Sequence, residues 1–300
     1  MSRLATCHRA SFANNANGQI LLYNCLLDGE GYECSYLFAC VLAVTVAACA
    51  TTTSPTGRTQ RIGAISQAQL EQMGAGAFAE LKAKKPLSSS PRERAYVNCV
   101  VNSIVRELPQ NWQRYAWENA VFQDDSPNAF ALPGGKVGIH TGIFKVAKNQ
   151  DQLAAVVAHE IGHVVARHHD ERITWQMGTQ MGVGLLGALL GAAYGQNVGN
   201  LATQGGGMIA QGAILLPNNR TQESEADVVG QQLMARAGFD PRQAVDLWQN
   251  MIAAGGARMP QWLSTHPDPQ SRLREMGVRA EGLMPIYQQA RASGRRPNCG

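Results

Sequence analysis

His159, Glu160 and His163 stand in the order H-E-x-x-H within a stretch of helical periodicity. Residues four apart on a helix share a face, so both imidazoles can be presented to one metal ion. Neutral imidazoles suit Zn²⁺, and a carboxylate suits taking a proton from water. The chemistry implied is metal-assisted hydrolysis. So short a pattern is weak alone, and its setting strengthens it. Asn149 reads as an N-cap with Gln152 as capping-box partner. Leu153, Val156, Val157, Ile161, Val164 and Val165 then supply an apolar face. A buried helix that carries ionisable groups needs a reason for them. The bland alternative is a pair of hydrogen-bonded core histidines.

A zinc site with two histidines needs a further protein ligand and a position left for water. The run Arg220-Thr-Gln-Glu223-Ser-Glu225-Ala226-Asp227 opens the next helical pattern. Glu223 is well placed at its start, and Asp227 lies one turn on, on the same face. Asp227 can hold a ligand histidine by its second nitrogen.

Other elements must position these groups. Ser66-x-x-Gln69 opens a helix to about residue 83, and Ser90-Pro91-Arg92-Glu93 opens a second that stops before Pro109. Tyr115 to Phe122 reads as a strand. Pro133-Gly134-Gly135 marks a tight turn between two short strands, the second being Lys136, Val137, Gly138, Ile139 and His140. Spacing alone leaves two readings of this hairpin: a sheet edge that holds an extended peptide, or an ordinary capped hairpin. His140 is expected to be structural or exposed. The metal helix is expected to run to about Ile173, with Arg167 to Arg172 as a solvated helix end. On that helix His168 and His169 lie more than a turn beyond His163 and are poor ligand candidates.

From Ile173 to Asn219 there are 47 residues without Asp, Glu, Lys, Arg or His. They read as two glycine-rich apolar segments, about 177–194 and 207–216, joined by a polar stretch. A packed helical hairpin is favoured over a mobile one that touches membrane or a membrane partner. Asp240-Pro241 and Asp268-Pro269 open two further helices, to about 253 and 280.

At the N-terminus, residues 36–48 form an apolar run too short to span a bilayer but suited to a signal peptide; a short buried core segment is the alternative. Val46-Ala47-Ala48-Cys49 resembles a bacterial lipobox, with Cys49 as the lipidated residue, and Ala50 to Gly57 reads as a flexible tether. Asp28, Glu30 and Glu33 precede the apolar run, where a signal peptide is basic, and this suggests that the recorded start lies upstream of the true one. The compartment would be the periplasm, where disulfides persist. Cys99 and Cys299 then either pair or remain two thiols. The formal charge of +4 includes no basic run and no aromatic-basic interleaving, so no nucleic-acid partner is expected.

Taken together, Asn128-Ala-Phe-Ala-Leu-Pro-Gly-Gly, the His159–His163 helix, Arg220-x-x-Glu223-x-Glu225-Ala226-Asp227, Ala237-Gly-Phe-Asp-Pro241 and Ser264-Thr-His-Pro-Asp-Pro-Gln-Ser-Arg272 resemble the HtpX/CAAX-prenyl-endopeptidase family of zinc metallopeptidases. The chain is most similar to the family's soluble bacterial lipoprotein branch, which works beside the outer membrane. The resemblance covers about 90–280. It implies an α+β, mainly helical gluzincin fold with a small active-site sheet, and one Zn²⁺ on His159, His163 and Glu223. It implies Glu160 as general base, Asp227 behind the ligands, and 136–140 as the substrate-binding edge strand. His266 or its companion Arg272 would stabilise the oxyanion of the bound substrate, and His266 could instead swing onto zinc as a silencing fourth ligand.

The organisation expected is a signal peptide over 1–48, lipidated Cys49 and a tether to 62, a peptidase domain over 63–285, and a tail over 286–300. Membrane-branch helices and a C-terminal repeat domain are not expected. The implied activity is endoproteolysis of unfolded or misassembled outer-membrane proteins in the periplasm, from the inner face of the outer membrane, with the assembly machinery as a further partner. The competing function is a chaperone or assembly factor that binds β-strand segments around a structural zinc.

Overall fold

Ser66, Ser90 and Asn149 each begin a helix, because the side-chain oxygen of each accepts an otherwise orphaned backbone N–H: from Gln69, Glu93 and Gln152 respectively. The computed structural model describes residues 50–194, 200, 203, 216–255 and 269–300. All lie in the second of the two units into which the chain divides, 1–48 and 49–300. The expected signal peptide, Cys49, His266 and nearly all of the second apolar segment lie outside the described residues.

Apart from two short helical turns, Gln110–Gln113 and Thr141–Lys145, the described elements in chain order are β1 (Ala50–Thr53), β2 (Thr59–Ile62), α1 (Gln67–Lys84), α2 (Pro91–Val105), β3 (Glu118–Phe122), β4 (Ala129–Leu132) and β5 (Lys136–His140). Then come α3 (Gln150–Val165), α4 (His168–Tyr194), α5 (Leu216–Ala237), α6 (Gln243–Gly255) and α7 (Pro269–Ala292). The fold is α+β and mainly helical. No described helix is long and apolar enough to cross a membrane.

The core is built around α3, in which every residue from Gln152 to Val165 is buried. Its sequence is apolar nearly all round, the pattern of a helix covered on every side. The sheet covers one side, and α2, α5 and α6 the others. Val121, Ala129, Ala131, Val137 and Ile139 turn into this core. The alternate residues Ala120, Phe122, Phe130 and Leu132 turn the other way, onto Phe78 and Leu81 of α1. His140 is on that far face, buried between Phe122 and Phe130 and hydrogen-bonded to Ser126.

Three expectations are corrected here. First, 136–140 is not an edge. The strand order is β3-β5-β4, with β5 paired parallel to β3 and antiparallel to β4. Lys136, Val137, Gly138, Ile139 and His140 are therefore bonded on both sides. The edge belongs to β4, because β3 takes the outer side of β5.

Second, the metal helix does not run on to Ile173. It stops at Val165, Arg167 takes a left-handed φ of 56°, and α4 sets off in a new direction. Half of the cluster beyond is not solvated: His168, Asp170 and Glu171 are buried, while Arg172 is exposed.

Third, 50–62 is not a free tether. Its β-branched threonines pair Ala50–Thr53 with Thr59–Ile62, and Gly57 turns the chain at a φ of 89°. The hairpin packs on the buried cluster through Arg58, which forks onto Glu171, and through Gln60, which donates to Ala166 O.

At the other end, α7 continues through residues 286–292, which were expected to be tail. Cys299 is bonded to Cys99 of α2, a link across 200 residues of sequence. Closing so long a loop limits the unfolded chain, so Cys299→Ser should lower stability by about 2–5 kcal/mol. Thermal unfolding with and without reductant checks this: reductant should lower the melting temperature of the wild type but not of the variant.

Candidate active site

α3 and α5 cross where both helices carry glycine. A Cβ added at Gly162 would come 2.9 Å from Ala226 O, and one at Gly230 would come 3.0 Å from His159 N. The absence of those side chains lets α5 approach closely enough for Glu223 to reach the α3 histidines. Gly162→Ala tests this. Helix propensity favours alanine by up to ~1 kcal/mol, but overpacking against backbone costs about 1–3 kcal/mol, so net destabilisation and weaker metal binding are expected. Gly76→Ala, exposed on α1 with nothing near the added Cβ, should instead stabilise. Equal effects of the two in thermal melts would remove the packing argument.

The Nε2 atoms of His159 and His163 are 3.2 Å apart. Glu223 places Oε2 3.3 Å from the first and Oε1 3.4 Å from the second. A tetrahedral ion with ligands at about 2.0–2.1 Å spaces them about 3.3–3.4 Å apart. The three donors are buried, of the types zinc prefers, and offer one ligand atom each within 4.8 Å of one another.

Each histidine has a partner behind it. His159 donates from Nδ1 to Asp227 Oδ1 at 2.9 Å. Asp227 is gripped in turn by Arg272, through Nε at 2.6 Å and Nη2 at 2.8 Å. Burial opposes charge on His159, but Asp227 and Glu223 outweigh it and lift its pKa to about 9. At His163 burial prevails over Glu223 and lowers the pKa to about 4. Burial likewise opposes the Asp227 carboxylate, yet Arg272 holds its pKa below the usual range.

Arg272 differs from its expected position beside the substrate. It is 3% exposed, stacks over Trp248, and points its guanidinium at Asp227 and Glu223. A residue so engaged supports the ligand set from behind. His168 also differs, facing His163 from across the helix break.

In front of His163 and Glu223 is a cleft of about 200 Å³. Glu160, His163 and Glu223 line its floor; β4, His169 and Arg172 line its walls. Asn128 O accepts from His140 N, so by antiparallel alternation the amide and carbonyl of Ala131 and the carbonyl of Ala129 point away from β5. Among the described residues no strand pairs with that outer side. The sequence named the hairpin but missed which of its strands faces the cleft.

Buried imidazoles and a carboxylate on crossed helices, beside a free sheet edge, make the architecture of a metallopeptidase domain. Residues 91–280 match peptidase family M48, and the chain belongs to that family. It is 34% identical over 227 residues to the mitochondrial metalloendopeptidase OMA1 of Schizosaccharomyces pombe, covering 74% of this chain and 64% of the relative. It is 31% identical over 237 residues to the beta-barrel assembly-enhancing protease of Escherichia coli, covering 75% of this chain and 47% of the relative. The chain thus spans between about half and two thirds of the length of these relatives.

Proposed function

We propose that the protein is a zinc metalloendopeptidase of the periplasm that cleaves unfolded or misassembled outer-membrane proteins. The observation that carries the reading is the convergence of the buried His159, His163 and Glu223 beside the β4 edge. Zinc, when bound, supplies a Lewis acid that polarises the scissile carbonyl and lowers the pKa of water towards neutrality.

The chain's own residues do the rest. The outward amide and carbonyl of Ala131 hold the substrate backbone as an added strand, which favours extended, unfolded segments over side-chain motifs. Glu160 takes the proton of the attacking water as the C–O bond forms, then passes it to the leaving amine as the C–N bond breaks. Asp227 fixes the tautomer and direction of His159, and Arg272 holds Asp227 and Glu223 in place. By the family resemblance, His266 would act as oxyanion donor or as a silencing ligand.

The compartment and substrate class rest on three supports: the lipobox-like Val46 to Cys49, the Cys99–Cys299 bond, and the likeness to a bacterial protease named for β-barrel assembly. On the same reading Cys49 would be a lipid anchor at the inner face of the outer membrane, close to the assembly machinery.

The test compares cleavage of an unfolded β-barrel protein before and after metal is stripped with a chelator. Activity should vanish with the zinc and return when zinc is restored. Cleavage that survives complete stripping would refute the reading.

A further inference from the structure

Behind His163 stands a second imidazole. His163 and His168 face each other Nδ1 to Nδ1 at 2.8 Å. His168 places Nε2 3.2 Å from Glu225 Oε2. Glu225 accepts from Thr56 Oγ1 at 2.7 Å and from Arg58 Nε and Nη2 at 3.1 and 2.8 Å. His168 is 1% exposed and Glu225 4%. The left-handed turn at Arg167 brings His168 back under His163; on a continuous helix it would face elsewhere.

One distribution of protons satisfies the contacts that join His163, His168 and Glu225. Two facing Nδ1 atoms need a single proton between them. If it sits on His163, the Nε2 of a neutral His163 keeps its lone pair for a metal. His168 then accepts at Nδ1 and carries its own proton on Nε2, which it donates to Glu225. The reverse assignment protonates His163 Nε2, which cannot then ligate. It also sets the bare Nε2 of His168 against a carboxylate. The charge on Glu225 therefore selects the metal-competent tautomer of His163, and Arg58 and Thr56 hold that charge in place. Asp227 serves His159 directly, whereas Glu225 serves His163 at one imidazole's remove.

We propose that His168 is a positioning residue that sets the tautomer and ring direction of His163, and that the N-terminal hairpin supports the metal site through Arg58, Glu225 and His168. The proposal rests on the reading of His163 as a ligand. It makes residues 50–62 part of the metal centre rather than a spacer in front of it.

The experiment measures zinc affinity by chelator competition on the full chain and on His168→Phe, His168→Gln, Glu225→Gln and Arg58→Gln. The visible band of the cobalt-loaded protein serves as a second readout. Phenylalanine fills the space but accepts no hydrogen bond, and should weaken zinc about 10–100-fold and shift the cobalt band. Glutamine, whose carbonyl can accept from His163, should restore part of the loss. Arg58→Gln should weaken zinc in the same direction and by less. A folded His168→Phe with zinc affinity within about twofold of wild type would overturn the proposal. If His168→Phe does not fold, unchanged affinity in both Glu225→Gln and Arg58→Gln would overturn it instead. Wild-type zinc affinity in His163→Ala would refute the ligand assignment itself, a failure distinct from that of the relay.

Discussion

Glu160→Gln is expected to lose about 10³–10⁴-fold in kcat while binding zinc as tightly as the wild type. The substitution keeps size and hydrogen-bonding capacity and removes only the ability to take a proton. Glu160 is 5% exposed on α3 and lines the cleft beside His163 and Glu223, yet it is not among the three converging donors. The barrier rises by about 4–5.5 kcal/mol, at 1.36 kcal/mol per decade. Zinc content by elemental analysis, with initial rates on an unfolded protein, checks both halves. Lost zinc would make Glu160 a ligand, and unchanged rates would leave the base to be found elsewhere. Either result would count against the mechanism. Substrate capture should survive in the variant, because the β4 edge is untouched. A chaperone with a structural zinc would lose nothing at all.

What could be read from the sequence was local. Ser66, Ser90 and Asn149 cap helices through atoms three residues away, and the two histidines share a face because helix geometry demands it. Glu223 and Asp227 needed a chemical argument, namely that two imidazoles cannot close a zinc site.

The misses were non-local. No Gly or Pro punctuates Ala166-Arg167, yet the chain turns there, because Glu171 finds Arg58 across 113 residues of sequence. Without that partner the cluster Arg167 to Arg172 looks like an ordinary charged helix end, and His168 looks misplaced. The hairpin of β4 and β5 was visible, but which strand forms the edge depends on β3 pairing parallel to β5. Arg272 could be guessed to lie near the site; that it points at Asp227 rather than at the substrate is a matter of packing against Trp248.

Glu223→Ala should cost the site its metal while costing the fold little. Zinc sites bind with about 10–16 kcal/mol, so loss of one ligand in three should weaken binding on the order of a thousandfold. Arg272 still grips Asp227 in this variant, so no buried charge is stranded, and the metal-free protein should lose only about 1–3 kcal/mol. Asp227→Ala should show the opposite balance. It removes the carboxylate that Arg272 holds with two nitrogens, and breaking a buried pair costs about 3–5 kcal/mol. Yet it removes no ligand, so zinc should weaken only about 10–100-fold. Chelator competition and urea unfolding of the metal-free forms separate the two effects. If Asp227→Ala loses more zinc than Glu223→Ala, the two carboxylates must exchange roles. The same experiment bears on the helix crossing, because Glu223 and Asp227 are one turn apart on α5. A carboxylate that ligates and a carboxylate that orients can share one helix face only if α5 lies against α3 as closely as Gly162 and Gly230 permit.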